Sequence, residues 1–176
     1  MTVSLILLSA AALVIVDQLL KIWVLGTLVG APSVTLIPGL LQLTYVENRG
    51  AAFGIFQGKT QLLSIVTGIV LAGIIVALVM GKFKHKLVLW SMGLIIAGGV
   101  GNLIDRVFRT FVVDYLDISP LFNFPVFNFA DCCVVIGTGL LLVYLLFFEE
   151  KKTLGKDAQP VKAEETHPEE EEPSGE

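Results

Sequence analysis

The sequence predicts an α-helical membrane protein, with four transmembrane helices and a small sheet lying on one side of the bilayer. Three observations predict it. The chain of 176 residues is 55% hydrophobic with a mean hydropathy of +0.81, more apolar than soluble globular chains. Four apolar runs, near 3–25, 62–80, 87–107 and 130–148, approach or reach the roughly 20 residues that cross a hydrocarbon core of about 30 Å. From 27 to 60 the apolar character breaks off, and proline, glycine and alternating residues replace it.

Charge divides the chain in two. Residues 1–148 hold six acids and eight Lys or Arg, whereas 149–176 hold ten acids and four lysines. The first part therefore reads as one membrane domain. The second is acidic and almost without apolar residues, so it cannot offset its chain entropy by burial and is expected to be a disordered tail. The net charge of −4 describes that tail, not the membrane domain. No basic patch interleaved with aromatics is present, so nucleic-acid binding has no support. Cys132 and Cys133 are adjacent on an expected helix and point in different directions, a poor geometry for a disulfide. The two histidines, His85 and His167, have no plausible co-ligands nearby, so neither a metal nor a cofactor is expected.

The first run has no basic side chain before it and continues past the small residues at 10–12, so it reads as a retained span, not a cleaved leader. Asp17 and Lys21 lie four apart inside it and share a helix face. An ionisable group at mid-bilayer costs about 2.5–3.5 kcal/mol, so this pair must face protein or water. A structural ion pair and a direct chemical role for Asp17 both remain open. Beyond it, Leu41, Leu43 and Tyr45 alternate with Gln42, Thr44 and Val46, which predicts a strand within a small surface sheet. Asn48-Arg49-Gly50 and the small residues after it mark a turn, or a place where backbone approaches a ligand.

Gly81-Lys82-Phe83-Lys84-His85-Lys86 joins the second and third runs, and three lysines in so short a loop mark it as cytoplasmic. Both termini then lie inside, and 27–60 and 108–129 lie outside. The third run contains Gly93, Gly98, Gly99 and Gly101, which permit close helix approach. Asn102, Asp105 and Arg106 at its outer end need polar partners; the three either bond between helices, or Asn102 and Arg106 face a cavity. Next, 111–116 is β-prone, and Phe108, Phe111, Tyr115, Phe122, Phe124 and Phe127 suggest an aromatic belt at the headgroups. Asn128 is placed to cap the fourth helix, which makes Asp131 its third residue, where an anion is favoured.

Asp114 and Asp131 stand seventeen residues apart in sequence, at the two ends of one outer loop. Two carboxyls brought close in a partly dry site share a proton, because both cannot readily ionise. One can then take a proton from water while the other polarises a carbonyl and later protonates a leaving amine. That is aspartic peptide hydrolysis. The chain has no His-Glu-x-x-His and no Gly-x-Ser-x-Gly. Two rivals predict different behaviour. A proton-coupled carrier would need acids running across the membrane, and these cluster at one face. A scaffold held by polar helix contacts would be destabilised, not silenced, by carboxamide substitutions.

Five strings in order carry a family resemblance: Asp17-Gln18-Leu19-Leu20-Lys21, Asn48-Arg49-Gly50-Ala51-Ala52-Phe53, the stretch from Gly98 to Arg106 ending Gly-Asn-Leu-Ile-Asp-Arg, Val113-Asp114-Tyr115, and Phe127-Asn128-Phe129-Ala130-Asp131. Over most of 7–148 the chain resembles bacterial lipoprotein signal peptidase, signal peptidase II. The resemblance implies that Asp114 and Asp131 are the catalytic pair. It implies that Asn48, Gly50, Asn102, Arg106 and Asn128 shape or line the substrate site, and that Asp17 and Lys21 support it. It further implies an extracytoplasmic β-cradle beside the four helices and a short amphipathic interfacial segment. The substrates would be prolipoproteins carrying diacylglycerol on the lipobox cysteine, cut just before that cysteine. The setting would be a bacterial cytoplasmic membrane, and the active site would lie near its outer face. Nothing in the chain demands more than a monomer with membrane lipid around it.

Overall fold

The computed structural model describes residues 3–50 and 58–149. Residues 51–57, which hold the end of the second string (Ala51-Ala52-Phe53), and the acidic tail from 150 onward lie outside the described residues. Four long helices dominate: α1 (Val3–Thr27), α2 (Thr60–Val79), α3 (Lys86–Arg109) and α4 (Phe129–Tyr144), the last continued by a π-helical turn at Leu145–Glu149. Each is long and apolar enough to cross a membrane. Their outward surfaces are apolar, with Leu8, Leu19, Ile65, Ile69, Val135 and Leu146 among the exposed side chains. Such surfaces suit hydrocarbon, where a helix already satisfies its own backbone.

Three of the helices are longer than their apolar runs because polar residues join at the ends. The His85 side chain caps α3 by accepting the Leu87 N–H at 3.3 Å. At its other end α3 extends through Asp105, Arg106 and Arg109, and stops where Thr110 turns to a left-handed φ of 67°. Asn128 caps α4 as expected: its side chain accepts the Asp131 N–H, while the Asp131 carboxylate accepts the Asn128 N–H, a reciprocal capping box.

The strands β1 (Val34–Ile37), β2 (Leu41–Asn48) and β3 (Val112–Asp117) form an antiparallel sheet in that order. The register sets Val46 opposite Asp114 and Asn48 opposite Val112. Phe127 then pairs with Leu116, exchanging backbone hydrogen bonds of 2.7 and 3.0 Å. That clip returns the chain from β3 to the start of α4 and holds Asn128 beside the sheet. Tyr115 is a core residue, not part of the expected aromatic belt: strand alternation turns it inward, against Val24, Leu28, Leu43 and Val113.

Helix α3 is the central helix, packing against α1, α2 and α4. Over half of its apolar window is buried (56%), against 17% or less for the others. Its glycines make this possible. A Cβ on Gly98 would collide with the Ala130 carbonyl oxygen of α4, and one on Gly101 would stand 2.5 Å from the Asp17 carboxylate. One apolar cluster, including Ile6, Ala10, Leu78 and Ile96, fills the bundle away from the sheet. The second joins α1 to the sheet through Val24, Leu43 and Val113. Along α1 and α3, the stretch between the two clusters is polar and buried.

Candidate active site

The nine residues expected at the site converge on this polar stretch, in two layers. The upper layer holds Asp114 on β3 and Asp131 in the first turn of α4. Asp114 is buried, at 2% exposure, and Asp131 is half-buried. Each carboxylate accepts two N–H groups, one on each oxygen. Asp114 accepts Asn48 Nδ2 at 2.9 Å and Asn128 Nδ2 at 2.6 Å. Asp131 accepts Asn102 Nδ2 at 2.7 Å and the Asn128 backbone N–H at 3.1 Å.

The two aspartates are linked through the amides between them. Asn128 Nδ2 also donates to Asn102 Oδ1, at 3.1 Å. The orientation of both amides is fixed by their partners. Asn128 Oδ1 must accept the Asp131 N–H as the helix cap, so its NH2 faces Asn102 and Asp114. Asn102 Oδ1 accepts Lys21 Nζ at 2.9 Å, so its NH2 faces Asp131.

Burial and the neighbouring Asp131 charge push the Asp114 carboxyl up to about 7, against the lowering effect of hydrogen bonds from Asn48 and Asn128 and of the Lys21 charge. Asp117, three residues on in β3, behaves oppositely. Burial raises it, but hydrogen bonds from Gln42, Ser119 and Thr44 outweigh that and hold it below the usual carboxylate range. Asp117 therefore organises the far end of the sheet, while Asp114 is poised to hold a proton near neutrality.

Gly50 and Arg106 close one side. The Gly50 N–H donates to Asn48 Oδ1 at 3.0 Å, and its carbonyl accepts Arg106 Nη2 at 3.3 Å. The Arg106 Nε is buried and has no hydrogen-bond partner among the described residues. A buried donor beside a carboxylate pair is a ready contact for a substrate carbonyl.

The lower layer is ionic. Lys21 is fully buried and gives its three protons to Asp17 at 3.0 Å, Asp105 at 3.0 Å and Asn102 at 2.9 Å. Arg109 Nη1 reaches Asp105 at 2.5 Å, and Gln18 bonds to Asp17, Asp105 and the Gly101 carbonyl. Asp17 bonds to Lys21, Gln18 and the Ala130 backbone, which favours the ion-pair reading over direct chemistry. Gln18, Asp105 and Arg109 were not among the expected site residues. The available signal was the four-residue spacing of Asp105 and Arg109, which repeats that of Asp17 and Lys21. Among the described residues, no group of three His, Cys, Asp or Glu is arranged to hold a metal ion.

This arrangement has close relatives. Residues 9–147 match the family model described as signal peptidase (SPase) II. The chain is 45% identical over 148 residues to a lipoprotein signal peptidase of Clostridium acetobutylicum, covering 83% of this chain and 96% of that one. It is 45% identical over 141 residues to the lipoprotein signal peptidase of Clostridioides difficile, covering 77% and 90%. A solved structure described as a bacterial membrane enzyme superposes with a TM-score of 0.76 at 33% identity, covering 90% of this chain and 95% of that one.

Proposed function

The chain belongs to the signal peptidase II family of aspartic peptidases, and from that premise we propose that Asp114 and Asp131 are the dyad with which it cuts prolipoproteins. The activity itself, removal of signal peptides from prolipoproteins, follows from family membership. The observation that carries the assignment is the amide bridge: Asn102 and Asn128 join to each other and donate one to each carboxylate.

The dyad works with one proton. It rests on Asp114, the more buried member, whose carboxyl is raised to about 7. The Asp131 carboxylate takes a proton from water as that oxygen bonds to the scissile carbonyl carbon. The Asp114 proton goes to the carbonyl oxygen, giving a neutral tetrahedral diol. Collapse breaks the C–N bond, the nitrogen gains a proton from the dyad, and the diol proton returns to restore the starting state. Arg106 Nε and the Asn48–Gly50 turn border the space where the peptide would lie, and they orient it.

The bond cut is the one just before a lipobox cysteine that already carries diacylglycerol. Acyl chains seated in the bilayer fix the depth of that bond, and such positioning contributes to rate through orientation. No metal or cofactor takes part. The enzyme works as a monomer of the bacterial cytoplasmic membrane, with both termini inside and the dyad near the outer face. The working domain is 1–148, and the acidic segment 149–176 has no part in the chemistry. The charge of the Lys82, Lys84 and Lys86 loop supports this orientation.

The test is cleavage of one diacylglyceryl-modified prolipoprotein by purified protein, read by mass. Native chain is expected to cut before the modified cysteine, and Asp114→Asn and Asp131→Asn to lose at least a thousandfold while remaining folded. Near-native turnover in either variant removes that residue from the dyad.

A further inference from the structure

Asp17 and Asp105 make the same unusual contact. Asp17 Oδ1 accepts the backbone N–H of Ala130 at 3.2 Å, the residue immediately before Asp131. Asp105 Oδ2 accepts the backbone N–H of Val113 at 3.0 Å, the residue immediately before Asp114. Both carboxylates are essentially unexposed, and both bind the same ammonium, Lys21, at 3.0 Å. A single cation thus joins two arms, each ending on the backbone one residue short of a dyad carboxylate. Its third proton goes to Asn102, which donates to Asp131.

We propose that Lys21, Asp17 and Asp105 form a clamp that sets the separation and orientation of the catalytic aspartates, with Gln18 and Arg109 as its braces. It rests on the dyad reading above and goes beyond it, because none of the five residues needs to touch substrate. The dyad comes from two elements with no direct covalent constraint, a strand and a helix joined by a loop of some eleven residues (118–128). Proton sharing needs them held to within a fraction of an ångström, and van der Waals packing of apolar residues alone does not direct two backbones so closely. Charge-assisted hydrogen bonds to backbone N–H groups do.

The composition of the clamp supports this role. Lys21 and Arg109 balance Asp17 and Asp105, so the layer is neutral and can be buried. Every proton on Lys21 is used, leaving the ammonium no alternative partner. Gln18 Nε2 lies within 3.1–3.2 Å of both carboxylates, and its Oε1 accepts Arg109 at 3.1 Å. Gln18 thereby stiffens the two arms against each other. Gly101 is required at the centre, because any Cβ there would press on the Asp17 carboxylate.

The test must separate positioning from simple stability. Lys21→Met combined with Asp17→Asn removes one charge of each sign, so the layer stays neutral. The expected result is a melting temperature within a few degrees of native, KM within about threefold, and kcat reduced by about 100-fold, the size of effect that a 1 Å misplacement produces. Native kcat in this variant overturns the clamp, as does a loss confined to melting temperature. If the double variant does not fold, Gln18→Met takes its place, since it leaves all four charges paired. About a tenfold fall in kcat at unchanged KM is expected there, and native kcat overturns the proposal. Loss of activity in Asp114→Asn and Asp131→Asn alongside a fully active clamp variant would leave the dyad standing and remove only the clamp.

Discussion

Asn128 donates to Asp114 at 2.6 Å while its side-chain oxygen accepts the backbone N–H of Asp131, so one side chain binds both members of the proposed dyad. One residue thus serves as helix cap and as part of the candidate site. Asn128→Ala is expected to cost about 0.5–2 kcal/mol for the cap alone, and to lower kcat at least a hundredfold because Asn102 and Asp114 each lose a partner. Asn128→Ser should restore much of the cap but little of the rate. Parallel melting and cleavage assays check the split; full activity in the serine variant would reduce Asn128 to a cap.

The raised Asp114 carboxyl fixes the direction of pH dependence. Its folded value, about 7, lies above the ordinary 3.8. The stability it contributes is thus fully present below about pH 4 and is lost as pH rises through 7. The gap in melting temperature between native chain and Asp114→Asn should move in the variant's favour from pH 6 to pH 9. Activity should decline over the same range, as the proton needed on Asp114 is lost. A pH–rate profile still rising at pH 9 would contradict this.

Chelation should have no effect. The reaction proposed for the dyad needs only carboxyls and water, so incubation with EDTA is expected to leave turnover unchanged. Loss of turnover restored by zinc would point to different chemistry.

Gly98 bears on the site from a distance. Its missing Cβ lets α3 lie against the carbonyl of Ala130, next to Asp131. Gly98→Ala is expected to destabilise the bundle by about 1–3 kcal/mol through overpacking. It should also slow cleavage, because the first turn of α4 must shift. Gly139, whose added Cβ would meet nothing within 4 Å, is the control, and Gly139→Ala should be silent in both assays.

Much of this was readable from residue order. Runs of apolar residues mark spans because lipid imposes a length, and Asn128 with Asp131 spells a capped helix start through local chemistry alone. The β2 strand showed through its alternation. Strand β1 did not, since all four of its residues are exposed and no alternation exists to detect. The parts of the lower layer were visible as isolated charges, but not its wiring. Whether Asp105 faces Lys21 or turns away from it depends on how α3 rolls against α1, and the close contact that sets this roll is Gly101 against Asp17. Tyr115 misled for the same reason: an aromatic near an interface reads as belt until the register of β3 is known.

The buried ammonium of Lys21 also bears on how the protein is made. Helix α1 emerges first and enters the membrane carrying Asp17 and Lys21, before α3 exists to supply Asp105 and Asn102. Until then its charges stand in lipid with only each other for company, at a cost of about 2.5–3.5 kcal/mol per unpaired group on insertion scales. Docking of α3 removes that penalty, but the hydrogen bonds behind the two aspartates are completed only when β3 and α4 bring the N–H groups of Val113 and Ala130. Assembly and competence therefore arrive together. A half-assembled chain is an inactive one, and it can form no stray protease in the membrane while it waits for its last helices.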